Sequence, residues 1–143
     1  MRALIDTCII IDAMQNREPF AKDAQNIFLM AANNRYIGYI TANSVSDIYY
    51  IMHRFTHSDK ESRLVLSKLF TLFDVADTMG IDCLRALPSP IKDYEDALIE
   101  EAALRSEIDC IITRNVCDFE KSNIPIYTPD AFINKLAEES DKD

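Results

Sequence analysis

Short, strand-sized runs alternate along the chain with longer segments in which apolar residues recur every three or four positions. The short runs predict strands at residues 3–5, 36–40, 73–76, 109–113 and 124–127, of which 3–5 and 109–113 are continuously apolar and therefore buried. The longer segments predict helices at residues 7–14, 20–33, 41–52, 59–72, 77–87 and 92–104, with a closing helix from residue 129. This alternation predicts an α/β fold: a three-layer α/β/α arrangement with a central parallel sheet of four to five strands.

A chain of 143 residues is long enough for one domain with its own core. We expect residues 1–137 to form that domain and residues 138–143, which are mostly acidic, to form a disordered tail. No apolar run approaches the roughly 20 residues that cross a bilayer, and the N-terminus lacks the long apolar stretch of a signal peptide. The expected location is the cytoplasm, without membrane contact.

Composition excludes several classes of enzyme. Only Gly38 and Gly80 occur, so a P-loop or a G-x-G-x-x-G fingerprint cannot be written, and the G-x-S-x-G of serine hydrolases is absent. The four cysteines have irregular spacings and no C-x-x-C pair, which indicates reduced thiols rather than disulfides or a zinc knot. His53 and His57 have the spacing of zinc ligands on a helix but no third ligand nearby, so a surface or packed pair is favoured.

Acidic residues follow the predicted buried strands. Asp6 ends the first strand, Asp47 lies in the helix after the second, Asp118 lies in the loop after residues 109–113, and Asp96 lies in the helix leading into that strand. One such acid is usually a helix cap, but four at one sheet edge would repel one another unless cations lie among them. Carboxylate ligands suit Mg²⁺ or Mn²⁺, and such a site can activate water for attack on a phosphodiester.

The net charge of −9 argues against a nucleic-acid partner, because phosphate binding usually depends on a basic surface. A net charge does not describe its distribution, however. Acids gathered in a metal site and in the segment 138–143 account for much of the excess. The charge therefore leaves a nuclease hypothesis open.

Five segments in order resemble the PIN domain, the nuclease fold found in the toxin half of many bacterial and archaeal VapBC toxin–antitoxin pairs. They are residues 4–12, 16–20, 44–50, 93–98 and 112–119, and together they span nearly the whole chain. The resemblance implies a metal-dependent ribonuclease that acts on RNA, uses Mg²⁺ or Mn²⁺, pairs with a cognate antitoxin protein and forms a homodimer.

The resemblance also implies roles for individual residues. The catalytic acids would be Asp6, Asp47, Asp96 and Asp118, of which Asp6, Asp96 and Asp118 would hold one or two metal ions. Thr113, Ser44 and Asp93 would support the site, although a helix N-cap is the favoured role of Asp93. One departure is that the second acid is usually Glu in the family, whereas Asp47 is one methylene shorter and would shift the metal or loosen its binding.

Substrate contacts and partner surfaces are the remaining expectations. Arg114, Arg17 and Asn115 are the candidates for contacts with RNA, with plain solubilising charge as the alternative for the arginines. Aromatic and apolar side chains at Tyr49, Tyr50, Met52 and Phe55 form a packing face by default, and a homodimer interface by analogy with PIN toxins.

Three other hypotheses compete with the nuclease. A haloacid-dehalogenase-like phosphatase needs D-x-D where residues 6–8 are Asp-Thr-Cys, and a receiver domain needs an acid pair at the first strand and a Lys on the last; neither pattern is present. The serious alternative is a PIN fold with a weakened site that acts only by binding a protein partner or RNA.

Overall fold

Five parallel strands form the middle layer of the molecule. The computed structural model describes residues 1–142, and its strands are β1 (Arg2–Ile5), β2 (Ile37–Thr41), β3 (Phe73–Ala76), β4 (Cys110–Ile112) and β5 (Ile126–Tyr127). They are hydrogen-bonded in the order β3-β2-β1-β4-β5, with every neighbouring pair parallel. The predicted three-layer α/β fold is confirmed, with five strands in the sheet.

Seven α-helices and one 3₁₀ helix connect and cover the strands. The helices are α1 (Thr7–Met14), α2 (Ala21–Ala32), α3 (Ala42–Thr56), α4 (Asp59–Leu72), α5 (Gly80–Ala86), α6 (Tyr94–Arg105) and α7 (Pro129–Asp141), with the 3₁₀ helix at Val116–Phe119. Several begin at capping residues that accept a hydrogen bond from the first turn, among them Ser58 before α4 and Thr128 before α7. Within residues 1–142, no helix is both long and apolar enough to cross a membrane.

The sheet buries a separate apolar cluster on each face. On one face, side chains of β1 and β4 such as Ile5 and Ile112 pack with residues of α1, α2, α3, α4 and α7. On the other face, Leu4 and Ile111 pack with residues of α5, α6 and the 3₁₀ helix. Residues 3–5 of β1 and all of β4 are buried on both sides, which explains why these segments are continuously apolar rather than alternating.

The centre of the sheet is also the point where the chain changes direction. From β1 the chain moves outward through β2 to β3, and it then returns to the other side of β1 to form β4. The crevice at the carboxyl ends of strands beside such a switch point is the usual ligand site of an open α/β sheet. Here that crevice lies between the ends of β1 and β4, where the backbone N–H of Asp6 donates to the carbonyl oxygen of Ile112 at 3.0 Å.

Helix α5 begins later than the sequence predicts, at Gly80 rather than at residue 77. The carboxylate of Asp82 accepts a hydrogen bond from the backbone N–H of Met79 at 2.8 Å, which places the helix start at that point. Arg105 of α6 reaches the same carboxylate at 2.9 Å and also donates to the carbonyl oxygen of Asp77. These tertiary bonds hold residues 77–79 outside the helix.

The acidic end of the chain also differs from the expectation. Residues 138–141, assigned above to a disordered tail, continue helix α7. Ser140 explains the continuation in part, because its hydroxyl accepts a hydrogen bond from Arg35 at 2.7 Å and donates to the carbonyl oxygen of Leu136 at 3.0 Å. Asp143 lies outside the described residues, and the domain limit at residue 137 stays a prediction.

Gly38 of β2 gives a test of how tightly side chains of the sheet pack beside one another. A Cβ at this position would lie 2.5 Å from Cδ1 of Phe73 and 3.2 Å from Cε2 of Tyr36. We expect Gly38→Ala to lower the free energy of unfolding by about 1–3 kcal/mol, because the buried ring must move. Urea denaturation measures the loss. Gly80→Ala is the matched control, since a Cβ there meets nothing within 4 Å; equal stability of the two variants would contradict the prediction.

Candidate active site

A cleft of about 550 Å³ opens at the carboxyl edge of the sheet, between α1, α3, α6 and the loop after β4. Five carboxylates from four separate parts of the chain line it, namely Asp6, Asp47, Glu95, Asp96 and Asp118. A single cationic side chain, Arg54, lines the same cleft. The four acids predicted from the sequence therefore do meet at one edge, together with a fifth that was not predicted.

Asp6 is held firmly at the end of β1. Its backbone is extended, with φ −67° and ψ 147°, and its Oδ1 caps helix α1 by accepting from the N–H of Thr7 at 2.8 Å. Its Oδ2 accepts a hydrogen bond from the hydroxyl of Thr113 at 2.7 Å, while the thiol of Cys8 lies 3.5 Å from the same oxygen. Asp6 thus acts as a helix cap and still presents its carboxylate to the cleft.

Asp96 carries the strongest electrostatic signal in the cleft. It lies in the first turn of α6, and its backbone N–H donates to the carboxylate of the N-cap residue Asp93 at 3.2 Å. Burial raises the pKa of Asp96, and the negative charges of Asp6, Asp93, Asp118 and Glu95 raise it further, to about 7. The carboxylates are therefore close enough to repel one another, and this repulsion has its clearest effect on the pKa of Asp96.

Asp47 and Glu95 form a second interacting pair across the cleft, one on α3 and the other on α6. Interaction with the Asp47 carboxyl, followed by burial and the charge of Asp47, raises the pKa of Glu95. Sequence reasoning missed Glu95. The available signal was its place beside Asp96 in the first turn of a helix that was already assigned to the site.

The oxygen donors suit a divalent cation that keeps part of its water shell. Among residues 1–142, no three His, Cys, Asp or Glu side chains form a group tight enough to hold one ion by themselves. Mg²⁺ usually binds proteins through one or two carboxylates and retains several waters, so this arrangement fits a partly hydrated ion. The positions of the acids fit a partly hydrated ion better than an ion enclosed by protein ligands without water.

The three residues predicted to support the site have different positions. Thr113 is fully buried and joins β4 to Asp6, and it also accepts a hydrogen bond from the N–H of Asn115 at 3.0 Å. Asp93 caps α6, as favoured from the sequence. Ser44 does not line the cleft; it is buried and shares a 2.7 Å hydrogen bond with Thr41 at the start of α3. Its contact is with the helix terminus rather than with the acids.

The two arginines predicted to contact RNA lie outside the acidic cleft, whereas Asn115 lines it. The guanidinium of Arg114 forms an ion pair with the buried Asp12 at 2.7 Å and stacks on Phe20 with 4.3 Å to the ring centroid. Because this pairing satisfies a buried charge, Arg114 has a structural role here, and its contact with phosphate stays a prediction. Arg17 is exposed and lines a neighbouring cleft.

The aromatic and histidine residues of α3 separate into buried and exposed groups. Met52 is in the core, and His53 stacks on Tyr49 with 5.8 Å between the ring centroids. Tyr50 and Phe55 are exposed. His57 is the C-cap of α3 in the left-handed conformation. All four cysteines are free thiols.

The fold and the cleft agree with the comparison to known families. The model of the PIN domain family matches residues 2–117, and the chain therefore belongs to that family. No curated protein sequence matches it.

Solved structures of similar fold include toxin–antitoxin proteins from several bacteria. VapBC2 from Rickettsia felis, bound to a promoter DNA fragment, aligns with a TM-score of 0.66 at 14% identity, over 90% of this chain and 98% of that one. A toxin–antitoxin complex from Klebsiella pneumoniae aligns at 0.64 and 26% identity, over 89% and 97%. VapC20 from Mycobacterium tuberculosis, a Sarcin-Ricin loop cleaving toxin, aligns at 0.59 and 10% identity, over 76% and 86%.

Repulsion in the cleft predicts that Asp96→Asn stabilises the metal-free protein. The folded-state pKa of Asp96 lies above its ordinary value of 3.8, so ionisation costs stability. The cost is absent below about pH 4, grows as the pH rises and is complete above about pH 7. After allowance for solvent in the cleft, we expect roughly 1 kcal/mol, or a melting temperature higher by about 2–4 °C.

Thermal unfolding at pH 8 and at pH 4 in the presence of a chelator measures this effect. The gain should appear at pH 8 and vanish at pH 4. Glu101→Gln is the control, because it removes a carboxylate from the same helix outside the cleft. A melting temperature unchanged at pH 8 in Asp96→Asn would show that the acids do not repel one another as described.

Proposed function

We propose that this protein is a Mg²⁺- or Mn²⁺-dependent endoribonuclease and the toxin of a toxin–antitoxin pair. The observation that carries the proposal is the convergence of five carboxylates, with one arginine beside them, at the switch point of a PIN fold. Folded proteins seldom bring several carboxylates together without a positive partner, because the carboxylates repel one another. A bound cation is therefore the simplest reason for this arrangement.

Asp6, Asp96 and Asp118 would hold the ion, directly or through its water molecules. When bound, the ion would lower the pKa of a water molecule and stabilise the charge that develops on a phosphodiester. Thr113 orients the carboxylate of Asp6 by donating to it at 2.7 Å. Asn115 lines the cleft and supplies an uncharged amide donor for a phosphate oxygen.

Asp47 would complete the site from α3. It is one methylene shorter than the Glu that is usual in the family, and Glu95 of α6 lies against it. A cation nearby would offset the negative charge that raises the pKa of Glu95. Ser44 and Asp93 would act indirectly, by fixing the starts of α3 and α6.

Solved relatives support the toxin part of the proposal. Several are complexes of a toxin with its antitoxin, and one is described as a toxin that cleaves the Sarcin-Ricin loop. By analogy, we expect a cognate antitoxin protein as partner, RNA as substrate and the cytoplasm as location.

A homodimer is also part of the proposal. The interface expected from the sequence at Tyr49, Tyr50, Met52 and Phe55 stays a prediction, except that Met52 is buried in the core; a second candidate surface lies at α5. Large apolar side chains stay exposed on and beside α5, including Leu84 at 64% and Leu87 at 71% of their full area. Exposed apolar side chains of this size are typical of surfaces that bind another protein. We expect light scattering of the purified chain to give twice the mass of one chain; a monomer at micromolar concentration would contradict this part.

A non-catalytic binding module is the second candidate. Two observations favour it: the shorter Asp47, and the finding that no three candidate ligands among residues 1–142 are close enough to hold one ion directly. In that case the fold would bind an antitoxin or RNA without cleaving it.

Cleavage assays with matched variants separate the two candidates. Purified protein would be incubated with structured RNAs and Mn²⁺ or Mg²⁺, and fragments would be resolved on denaturing gels. We expect cleavage that a chelator stops, and a rate lower by about 100-fold or more in Asp6→Asn and Asp96→Asn, because each substitution removes an ionic oxygen from the metal.

Glu101→Gln, purified in the same way as the aspartate variants, is the control and should cleave like the wild type. Cleavage that persists in both aspartate variants would come from a contaminating nuclease. Absence of cleavage by the wild type, with Mn²⁺ binding detected by calorimetry, would favour the binding module.

A further inference from the structure

A second, shallower cleft of about 460 Å³ adjoins the acidic one, and the two share Ile51 and Arg54 of α3. Its other lining residues are Gln15, Arg17 and Phe55. None of these five side chains is acidic. The negative cleft therefore leads directly into a surface whose charges are all positive, on a chain whose net charge is −9.

The two arginines of this second cleft are free of carboxylate partners. The ion pairs formed within residues 1–142 involve Arg63, Arg105, Arg114 and Lys135, and neither Arg54 nor Arg17. Both are exposed. Arginines without carboxylate partners beside a proposed phosphodiester site are available for charge-assisted bonds to phosphate oxygens.

Gln15 fixes the loop after α1 that carries Arg17. Its side-chain amide contacts Sδ of Met52 at 3.9 Å, and its Oε1 accepts a hydrogen bond from Nε of Arg17 at 3.2 Å. The backbone N–H of Arg17 also donates to the carbonyl oxygen of Asp12 at 3.0 Å. Arg17 thereby lines the same cleft as Arg54 of α3.

Two exposed aromatic rings accompany these arginines. Tyr50 lines the acidic cleft and is 61% exposed, while Phe55 lines the second cleft and is 65% exposed. Such rings bind unpaired bases by stacking. Every base has a face that can stack in this way, whereas bases inside a duplex are already stacked on their neighbours. Surfaces that bind single strands combine positive groups, which contact the phosphate backbone, with exposed rings, which stack on the bases.

The opposite flank of the acidic cleft differs in charge. Lys92 and Lys121 lie there, but Asp93, Asp118 and Glu120 line the same hollows and offset them. Of the two flanks, the α3 side is the one whose hollow is lined by cationic side chains and no acid.

We infer that Arg54 and Arg17, with the rings of Tyr50 and Phe55, form the surface that binds single-stranded RNA and guides it into the acidic cleft from the α3 side. This inference rests on the proposed function, since it names the substrate-binding surface of that site.

A second copy of the chain is the competing occupant of this face. A twofold interface centred here would bring the arginines of the two copies together, and burying like charges without counterions is costly. The phosphates of RNA complement the charge of the two arginines, so RNA is favoured over a second copy of the chain as the occupant of this face.

Binding of a fluorescein-labelled, mixed-sequence RNA tests the inference. The strand would be about 12 nucleotides long, within the ~4–16 nucleotides that single-strand sites cover, and anisotropy would be measured with a chelator present so that no cleavage occurs. We expect Arg17→Ala with Arg54→Ala to weaken binding about tenfold and to lower the salt slope by about 1.4, since each phosphate contact contributes about 0.7.

The aromatic pair should respond differently. Tyr50→Ala and Phe55→Ala should each weaken binding about fivefold or more, with an unchanged salt slope, because stacking releases no counterions. A duplex of the same sequence should bind more weakly than the single strand. Equal binding of the duplex would overturn the inference.

Matched controls remove the same charge elsewhere. Lys92→Ala with Lys121→Ala removes two charges on the opposite flank, and Lys60→Ala with Lys68→Ala removes two on α4. Both should leave the affinity within about twofold of wild type. If the arginine pair behaves like these controls, or changes the mass of the protein in sedimentation while RNA affinity stays the same, the inference fails.

The outcome is independent of the cleavage assay. Loss of RNA binding in the arginine pair, on a protein that cleaves nothing, would support the inference while the proposed nuclease activity fails. Cleavage that depends on Asp96 but is untouched by the arginine pair would support the nuclease and overturn the inference.

Discussion

Repulsion among carboxylates at one edge of the sheet is the constraint on which this structure depends. The topology brings the ends of β1 and β4 together, and α3 and α6 add their own acids to the same edge. Burial and neighbouring negative charges raise the pKa of Asp96 to about 7, because both disfavour its ionised form when no cation is near. The apolar clusters on both faces of the sheet hold the acids in place against that repulsion.

Parts of the structure that depend on local pattern were predictable from the sequence. Residues 3–5 of β1 and all of β4 are buried on both faces, so they are continuously apolar and stand out without any structural knowledge. Helix starts at Ser58 and Thr128 follow from capping chemistry alone. The approach of Asp6, Asp96 and Asp118 was predictable because parallel strands all end at one edge of their sheet.

Features that depend on the direction of a long side chain were not predictable. Arg114 follows Thr113 directly, yet its guanidinium turns to the buried Asp12, a partner about a hundred positions away in the chain. The start of α5 likewise depends on Arg105, which lies on a different helix. Arg54 and Glu95 join the site through the packing of α3 and α6 around it, which no local pattern encodes.

The acidic cleft and its arginine flank are linked by one electrostatic argument. The negative field that raises the pKa of Asp96 also repels a phosphate group. The net charge of −9 does not attract a nucleic acid to the cleft either. Two conditions remove the obstacle: a divalent ion among the acids, and positive charge along the path that the backbone follows. Arg54 belongs to both clefts, and the neighbouring surface contributes Arg17 without any acid. Local charge, rather than the overall balance, therefore decides which polymer can bind here.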